Sequence, residues 1–314
     1  MKPASDITTF SASALATGRA SDAAAVLTPS RARDFYELTK PRMNFLVVCT
    51  TAVGFYMAPH HGGGHWIALL HAIIGTALTA ASASVFNQLV ERSYDALMPR
   101  TRNRPLPAGR VTPAEALAFG VLLGVVGVAY LAFLVNVLTA LLGAITLASY
   151  VWIYTPMKRV SSLNTVVGAV PGAIPPMMGW TAATGALSPE ALVLFTILFL
   201  WQMPHFLAIA VLYKRDYAAG GFKMLPVVDP GLRMTARMIV LYGMALVPAS
   251  LMPVGVGMAG NVYLTGAVLL SLAFLSYCVS CAVSRERVDA RKLFFASIIY
   301  LPVLFAVMML DKTV

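Results

Sequence analysis

The chain has 314 residues and a formal net charge of +10, yet 59% of it is apolar, only 11% is charged and its mean hydropathy is +0.77. Soluble domains carry roughly 25% charged residues, so this composition excludes an ordinary soluble protein and predicts an all-α integral membrane protein in a lipid bilayer. The positive balance does not point to nucleic acid, because the basic residues lie in short stretches between apolar runs and not on one solvated face.

Residues 1–33 are rich in Ala, Ser and Thr and lack both helical periodicity and an apolar signal run. They are expected to form a flexible amino-terminal tail ahead of one membrane domain over 34–314. Asp6 and Asp22 argue against a transit peptide. A spanning helix needs roughly 20 mostly apolar residues. About nine such segments follow, near 41–58, 66–88, 113–134, 136–154, 164–182, 189–212, 236–256, 261–283 and 292–310. Pro171, Pro175 and Pro176 predict an interruption in the fifth, which is tolerable where the freed backbone lines a cavity or is buried in protein.

Lys and Arg collect on the cytoplasmic side of membrane proteins. Here 22 of the 23 fall before span one or in the loops after spans two, four, six and eight, leaving only Lys312. That alternation requires an even number of spans between basic loops, and it predicts a cytoplasmic amino terminus and an external carboxyl terminus. Cys49, Cys278 and Cys281 all lie in predicted spans, where a disulfide or zinc site is not expected.

The end of the second span breaks the apolar pattern. Asn87, Glu91 and Asp95 recur every four residues, so on a helix they form a stripe on one face, each about 6 Å above the last. An ionisable group at the bilayer centre costs at least ~2.5 kcal/mol, so acids placed here imply a watered, functional cavity. Two carboxylates and an amide oxygen suit a hard cation such as Mg²⁺, which completes its shell with water and substrate phosphate. The alternative is a helix end whose acids pair with Arg92 and Arg100.

A second polar cluster falls on the same side after span six: His205, then Tyr213, Lys214, Arg215, Asp216 and Tyr217, then Lys223. Lys214, Arg215 and Lys223 can bind diphosphate oxygens, and Asp216 can hold a second metal or a metal-bound water; each is equally an ordinary basic-loop residue or its neighbour. His205 follows Pro204 in an apolar helix and reads as a core histidine or a ligand. Lys158 and Arg159, with Asn164 just beyond, add a third cationic loop on this face.

The string N-x-x-x-E-R-x-x-D-x-x-M-x-R-T-x-x-R-P-L-P-x-G from Asn87 resembles the first acidic motif of the intramembrane polyprenyltransferase superfamily. W-Q-M-P-H-F from Trp201, Y-K-R-D-Y from Tyr213 and K-M-L-P-V-V from Lys223 are similar to its heme-farnesylating branch, and the likeness spans about residues 34–310. The resemblance implies a nine-span bundle around a central cavity in a bacterial inner membrane, with the active site toward the cytoplasm. It implies Asn87, Glu91 and Asp95 as Mg²⁺ ligands, Arg92, Lys214 and Asp216 beside them in catalysis, and Arg42, Arg100, Arg104, Lys158, Asn164, His205 and Tyr213 at the substrates. The substrates it implies are farnesyl diphosphate and heme b, with a downstream heme-modifying enzyme as a partner and no nucleic acid. The chain departs from the superfamily in lacking a second aspartate-rich motif, which sets a second magnesium site in question. His205 is a further candidate to ligate or position the heme iron. Two other readings stay open: prenylation of a quinone precursor, and proton- or cation-coupled transport, since intramembrane acids also serve translocation.

Overall fold

The computed structural model describes residues 30–59 and 65–313. The expected tail lies outside the described residues up to position 29, and Arg31 to Arg33 open the first helix. Among the described residues, regular structure is helical apart from one isolated bridge between Ala259 and Lys312. The helices are α1 (Arg31–Leu38), α2 (Pro41–Met57), α3 (His65–Asp95), α4 (Pro113–Leu134), α5 (Val137–Ala148), α6 (Thr155–Met157), α7 (Asn164–Thr184), α8 (Pro189–Leu212), α9 (Lys214–Ala219), α10 (Leu225–Val228), α11 (Arg233–Gly255), α12 (Asn261–Ser284) and α13 (Arg287–Leu310). A π-helical segment, Ser149–Tyr154, joins α5 to α6.

Local chemistry sets the helix starts. Thr112 caps α4 by accepting from the Glu115 amide while the Glu115 carboxylate reaches back to the Thr112 amide, with Pro113 in the first turn. Asn136 caps α5 through the Thr139 amide, 2.8 Å away. Among the described residues seven helical stretches are long and apolar enough to cross a membrane: α3, α4, α5 with its continuation through α6, α8, α11, α12 and α13. They turn large apolar side chains outward, with Phe133 and Leu310 each 87% exposed, a surface suited to lipid and not to water. Two other expected spans coincide with α2, which has 17 residues, and with α7.

The predicted interruption in α7 does not occur. The helix runs unbroken from Asn164 to Thr184 with all three prolines inside it, and most of its residues from Asn164 to Thr181 are buried. Each proline removes one amide donor, and a helix largely enclosed by protein keeps most freed carbonyls away from lipid. Burial also explains why α7 reads as the least lipophilic of the long segments.

Close packing depends on glycine, as expected where lipid supplies no hydrophobic drive between helices. On α4, Gly120, Gly124 and Gly127 lie against Phe86, Ser82 and Thr79 of α3. At the crossing of α2 and α7 a Cβ on Gly54 would stand 1.9 Å from the Pro176 carbonyl oxygen, and one on Gly179 would stand 1.9 Å from that of Thr51.

The bundle is a ring. From α2 it runs through α3, α4, α5, α7 and α8, then through α11, α12 and α13; within it α7 also packs closely on α2 and α13 on α8, while α13 meets α2 only thinly. At that seam lies an apolar groove of about 510 Å³, lined in part by Thr50, Val53, Tyr56, Leu301 and Phe305. Its end at the carboxyl termini of α2 and α13 is fastened by the residues after α13. Lys312 Nζ donates to the carbonyls of Tyr56 (2.6 Å) and Ala58 (2.9 Å), and Asp311 Oδ2 accepts from the Tyr263 amide at the start of α12 (2.7 Å).

Gly179→Ala is expected to destabilise the bundle by about 1–3 kcal/mol or more, because the backbone of α2 cannot yield. Gly231→Ala, which meets nothing within 4 Å, should leave thermal unfolding in detergent unchanged, and equal melting temperatures for the two variants would refute this account of the α2–α7 crossing.

Candidate active site

At 1.5 Å per residue, the 31 residues of α3 make a rod of about 46 Å against a hydrocarbon layer of ~30 Å. Its last turns therefore overrun the apolar layer. Those turns carry the predicted stripe: Asn87, Glu91 and Asp95 are 2%, 6% and 1% exposed. Their surroundings are cationic. Lys40 Nζ donates to Asn87 Oδ1 at 2.6 Å, Lys158 Nζ lies 2.8 Å from Glu91 Oε1, and Arg104 Nη1 donates to Asp95 Oδ2 at 2.7 Å. Each cation comes from a different part of the chain.

Lys40 sits at the junction of α1 and α2 in left-handed backbone (φ 48°, ψ 58°), directly before Pro41, a conformation that costs a non-glycine residue of order 1–3 kcal/mol unless its surroundings impose it. Here they do: Gln88 Nε2, from the residue after Asn87 on α3, holds the Leu38 carbonyl at 2.8 Å, and the Asn44 amide holds that of Thr39. Lys158 follows the π-helical segment, a distortion often found at functional sites. There Thr155 Oγ1 donates to the Tyr150 carbonyl (2.8 Å) and accepts from Asn87 Nδ2 (3.4 Å). Lys158 Nζ stands 4.6 Å above the Tyr154 ring, and its carbonyl receives the Lys223 amide at 2.7 Å. Asn164, fully buried, binds the Lys223 carbonyl at 3.1 Å and so ties these loops together. Arg104 is brought back to Asp95 by the turn that Thr101 closes on the Asp95 carbonyl (2.8 Å).

The two lysines differ in charge state. Burial, followed by the nearby Arg104 guanidinium, pushes Lys40 down to about 7. Burial is also the largest influence on Lys158 and opposes its charge, but the Glu91 carboxylate together with Tyr154 and Tyr150 outweighs it and holds Lys158 well above its ordinary value.

A divalent cation fits this set. Glu91 Oε1 is buried, with Lys158 Nζ 2.8 Å away as its ion-pair partner. Two carboxylates and an amide oxygen are donors for a hard cation. Among the described residues no group of three or more His, Cys, Asp and Glu side chains gathers to hold a metal, so water and substrate oxygens must complete any coordination shell.

The structure does not gather every residue expected here. Arg92 is exposed on the far side of α3 and donates to the Leu89 carbonyl of its own helix. Arg42 is exposed near the start of α2. Arg100 lies over the Tyr213 ring at 4.9 Å. Lys214 Nζ reaches the Pro230 carbonyl at 3.3 Å, and Asp216 is half-buried on α9; among the described residues neither pairs with Glu91 or Asp95. His205 lies at the α8–α13 contact, stacked 4.8 Å from Trp201 and 5.2 Å from Phe294, with Nδ1 2.7 Å from Ser297 Oγ.

Lys40, Thr155 and the tyrosine pair Tyr150 and Tyr154 are the members that sequence reasoning missed. A lysine ahead of a span reads as a topology signal, and nothing local announces a π-helix. The available signal was the spacing of Tyr150 and Tyr154, one turn apart and one turn before Lys158.

The UbiA prenyltransferase family matches residues 47–299 of the chain. The chain is 49% identical to the protoheme IX farnesyltransferase of Solibacter usitatus (strain Ellin6076), over 89% of this chain and 99% of that one. It is 46% identical to that of Myxococcus xanthus (strain DK1622), over 90% and 96%. Among solved structures it is similar to a digeranylgeranylglyceryl phosphate synthase (TM-score 0.74, 15% identity, 90% of this chain and 99% of that one). It is also similar to a UbiA homolog from Archaeoglobus fulgidus bound to DMAPP and Mg²⁺ (TM-score 0.65, 17% identity, 88% and 99%). At these identities the two structures speak for the fold alone.

Lys158→Met strands a buried carboxylate and is expected to cost about 3 kcal/mol of stability. Adding Glu91→Gln should restore most of it in thermal unfolding, and a single variant as stable as the parent would show that the pair does not hold this corner of the fold.

Proposed function

The chain belongs to the UbiA prenyltransferase family, and from that premise we propose that it transfers the farnesyl group of farnesyl diphosphate to the vinyl group of heme b, adding water and releasing diphosphate to give heme O. The observation that carries the reading is the buried stripe of oxygen donors on α3 faced by cations from three other segments. Such a place accepts a metal and a polyanion together.

Asn87, Glu91 and Asp95 would hold Mg²⁺, which when bound supplies positive charge to the leaving diphosphate. Arg104 and Lys158 are the cations of the chain placed to bind diphosphate oxygens, and the Glu91 carboxylate keeps Lys158 charged for that task. As the allylic C–O bond breaks, its electron pair leaves with the diphosphate. The vinyl π electrons of heme b then form the new C–C bond, and water adds to the resulting cation and loses a proton. No side chain need act as nucleophile. Arg92 and Lys214, which bond the Leu89 and Pro230 carbonyls here, would have to turn to join this clamp.

Both substrates are greasy bodies with anionic ends, which matches a bundle with an apolar groove at the seam and a basic rim. Arg42, Arg100, Tyr213, Lys214 and Asp216 belong to that rim on this reading. His205, buried between Trp201 and Phe294 with Nδ1 engaged by Ser297, would have to offer Nε2 to heme iron on this reading. The distribution of Lys and Arg supports nine spans, a cytoplasmic amino terminus and a cytoplasmic active face in a bacterial inner membrane, and the product would pass to a heme-modifying enzyme.

Purified protein in detergent, given heme b, farnesyl diphosphate and Mg²⁺, should yield a heme heavier by one farnesyl and one hydroxyl group by mass spectrometry, and EDTA should stop it. Asp95→Ala should lower that rate by about a hundredfold or more. Prenyl transfer to another aromatic acceptor with heme untouched would replace the acceptor; no transfer to any acceptor would sink the reading.

A further inference from the structure

The charges around the acidic stripe do not balance. Glu91 and Asp95 are matched by Lys158 and Arg104, which leaves Lys40 with no carboxylate of its own, its Nζ on an uncharged amide oxygen 2.6 Å away. A lysine serving only as a topology anchor extends toward water. This one turns inward, from a left-handed backbone that Gln88 and Asn44 hold in place.

The orientation of Asn87 is also fixed. Its Nδ2 is committed to Thr155 Oγ1, so Oδ1 must face Lys40. That oxygen is the one a metal would use, and Mg²⁺ binds oxygen at about 2.0–2.1 Å. A cation at that distance and an ammonium at 2.6 Å compete for the same lone pairs and repel each other. Lys40 therefore has to leave when the metal arrives. Its backbone cannot follow, but four flexible methylenes let the ammonium turn about a fixed Cα. The groups that act electrostatically on it include Arg104 and Lys158, the two cations that would border the diphosphate.

We propose that Lys40 is a placeholder for the metal in the substrate-free site and a diphosphate ligand in the filled one, exchanging Asn87 Oδ1 for a phosphate oxygen. This rests on the metal-dependent prenyl transfer described above. The class of ligand it takes is an organic diphosphate, and its role is to position that group.

The test compares the full-length chain in detergent with Lys40→Met, using Mn²⁺ binding followed by electron paramagnetic resonance and the affinity for unreactive farnesyl thiodiphosphate. Lys40→Met should bind Mn²⁺ alone about tenfold more tightly, since a competitor is gone, and bind the thiodiphosphate about tenfold more weakly in the presence of metal. A purely structural lysine would weaken both, and a parallel loss, or no change in either, overturns the proposal. Lys40→Arg should keep thiodiphosphate affinity within about threefold, since it keeps a donor cation.

A measurement on the unaltered protein needs no folded variant. Mg²⁺ alone should raise the acylation of Lys40 by acetic anhydride, read by mass spectrometry, and the thiodiphosphate should then suppress it; an unchanged or reversed order overturns the exchange. If the parent chain binds no Mn²⁺, or binds it undiminished in Asp95→Asn, the metal reading itself fails and takes this inference with it. If the parent binds Mn²⁺ through Asp95 while Lys40→Met shifts both affinities the same way, only the inference fails.

Discussion

Two carboxylates nearly sealed from water at the end of a membrane helix are the constraint around which this end of the protein is arranged. A buried acid without a counter-charge costs several kcal/mol, and α3 carries two on one face. The loop beyond α3 has to turn back so that Arg104 reaches Asp95, and the π-helical segment has to deliver Lys158 to Glu91. Lys223, from beyond α9, then braces that second segment by bonding the Lys158 carbonyl and accepting from Asn164. The loops are short and specific in form because each carries a charge to a fixed address.

The same constraint divides the molecule by depth. Polar chemistry gathers where α3 overruns the hydrocarbon, while the apolar groove lies beside the thin seam of α2 and α13. A substrate that is lipophilic along its length and ionic at one end meets a medium of matching kind at each level. The glycines of α4 and the α2–α7 crossing keep the helices near enough for the cations to span between them.

Much of this was legible in advance. The stripe of Asn87, Glu91 and Asp95 showed because a four-residue repeat survives as a face on any helix, and the apolar runs located the long helices because lipid imposes a minimum length. Direction was less legible than position. Arg92 is next to Glu91 in sequence, yet one residue along a helix is about 100° around it, and that step carries it out of the cluster. Lys214 and Asp216 share a motif with Tyr213, but α9 leaves them apart from Glu91 and Asp95. Prolines in α7 suggested a break because sequence shows the lost donors and not the protein wall around them. Lys40 was invisible because its use depends on a backbone conformation that only the contacts of Gln88 and Asn44 explain.

The fastening beyond α13 has a mechanical consequence. Lys312 clips α13 to the last carbonyls of α2, and Asp311 clips it to α12, so the two walls of the groove are pinned together at one end and only lightly joined along the rest. Such a cleft opens like a clothes peg. Any spreading of its walls is therefore greatest away from the pin, toward the first turns of α2 and α13, while the pinned end keeps its spacing.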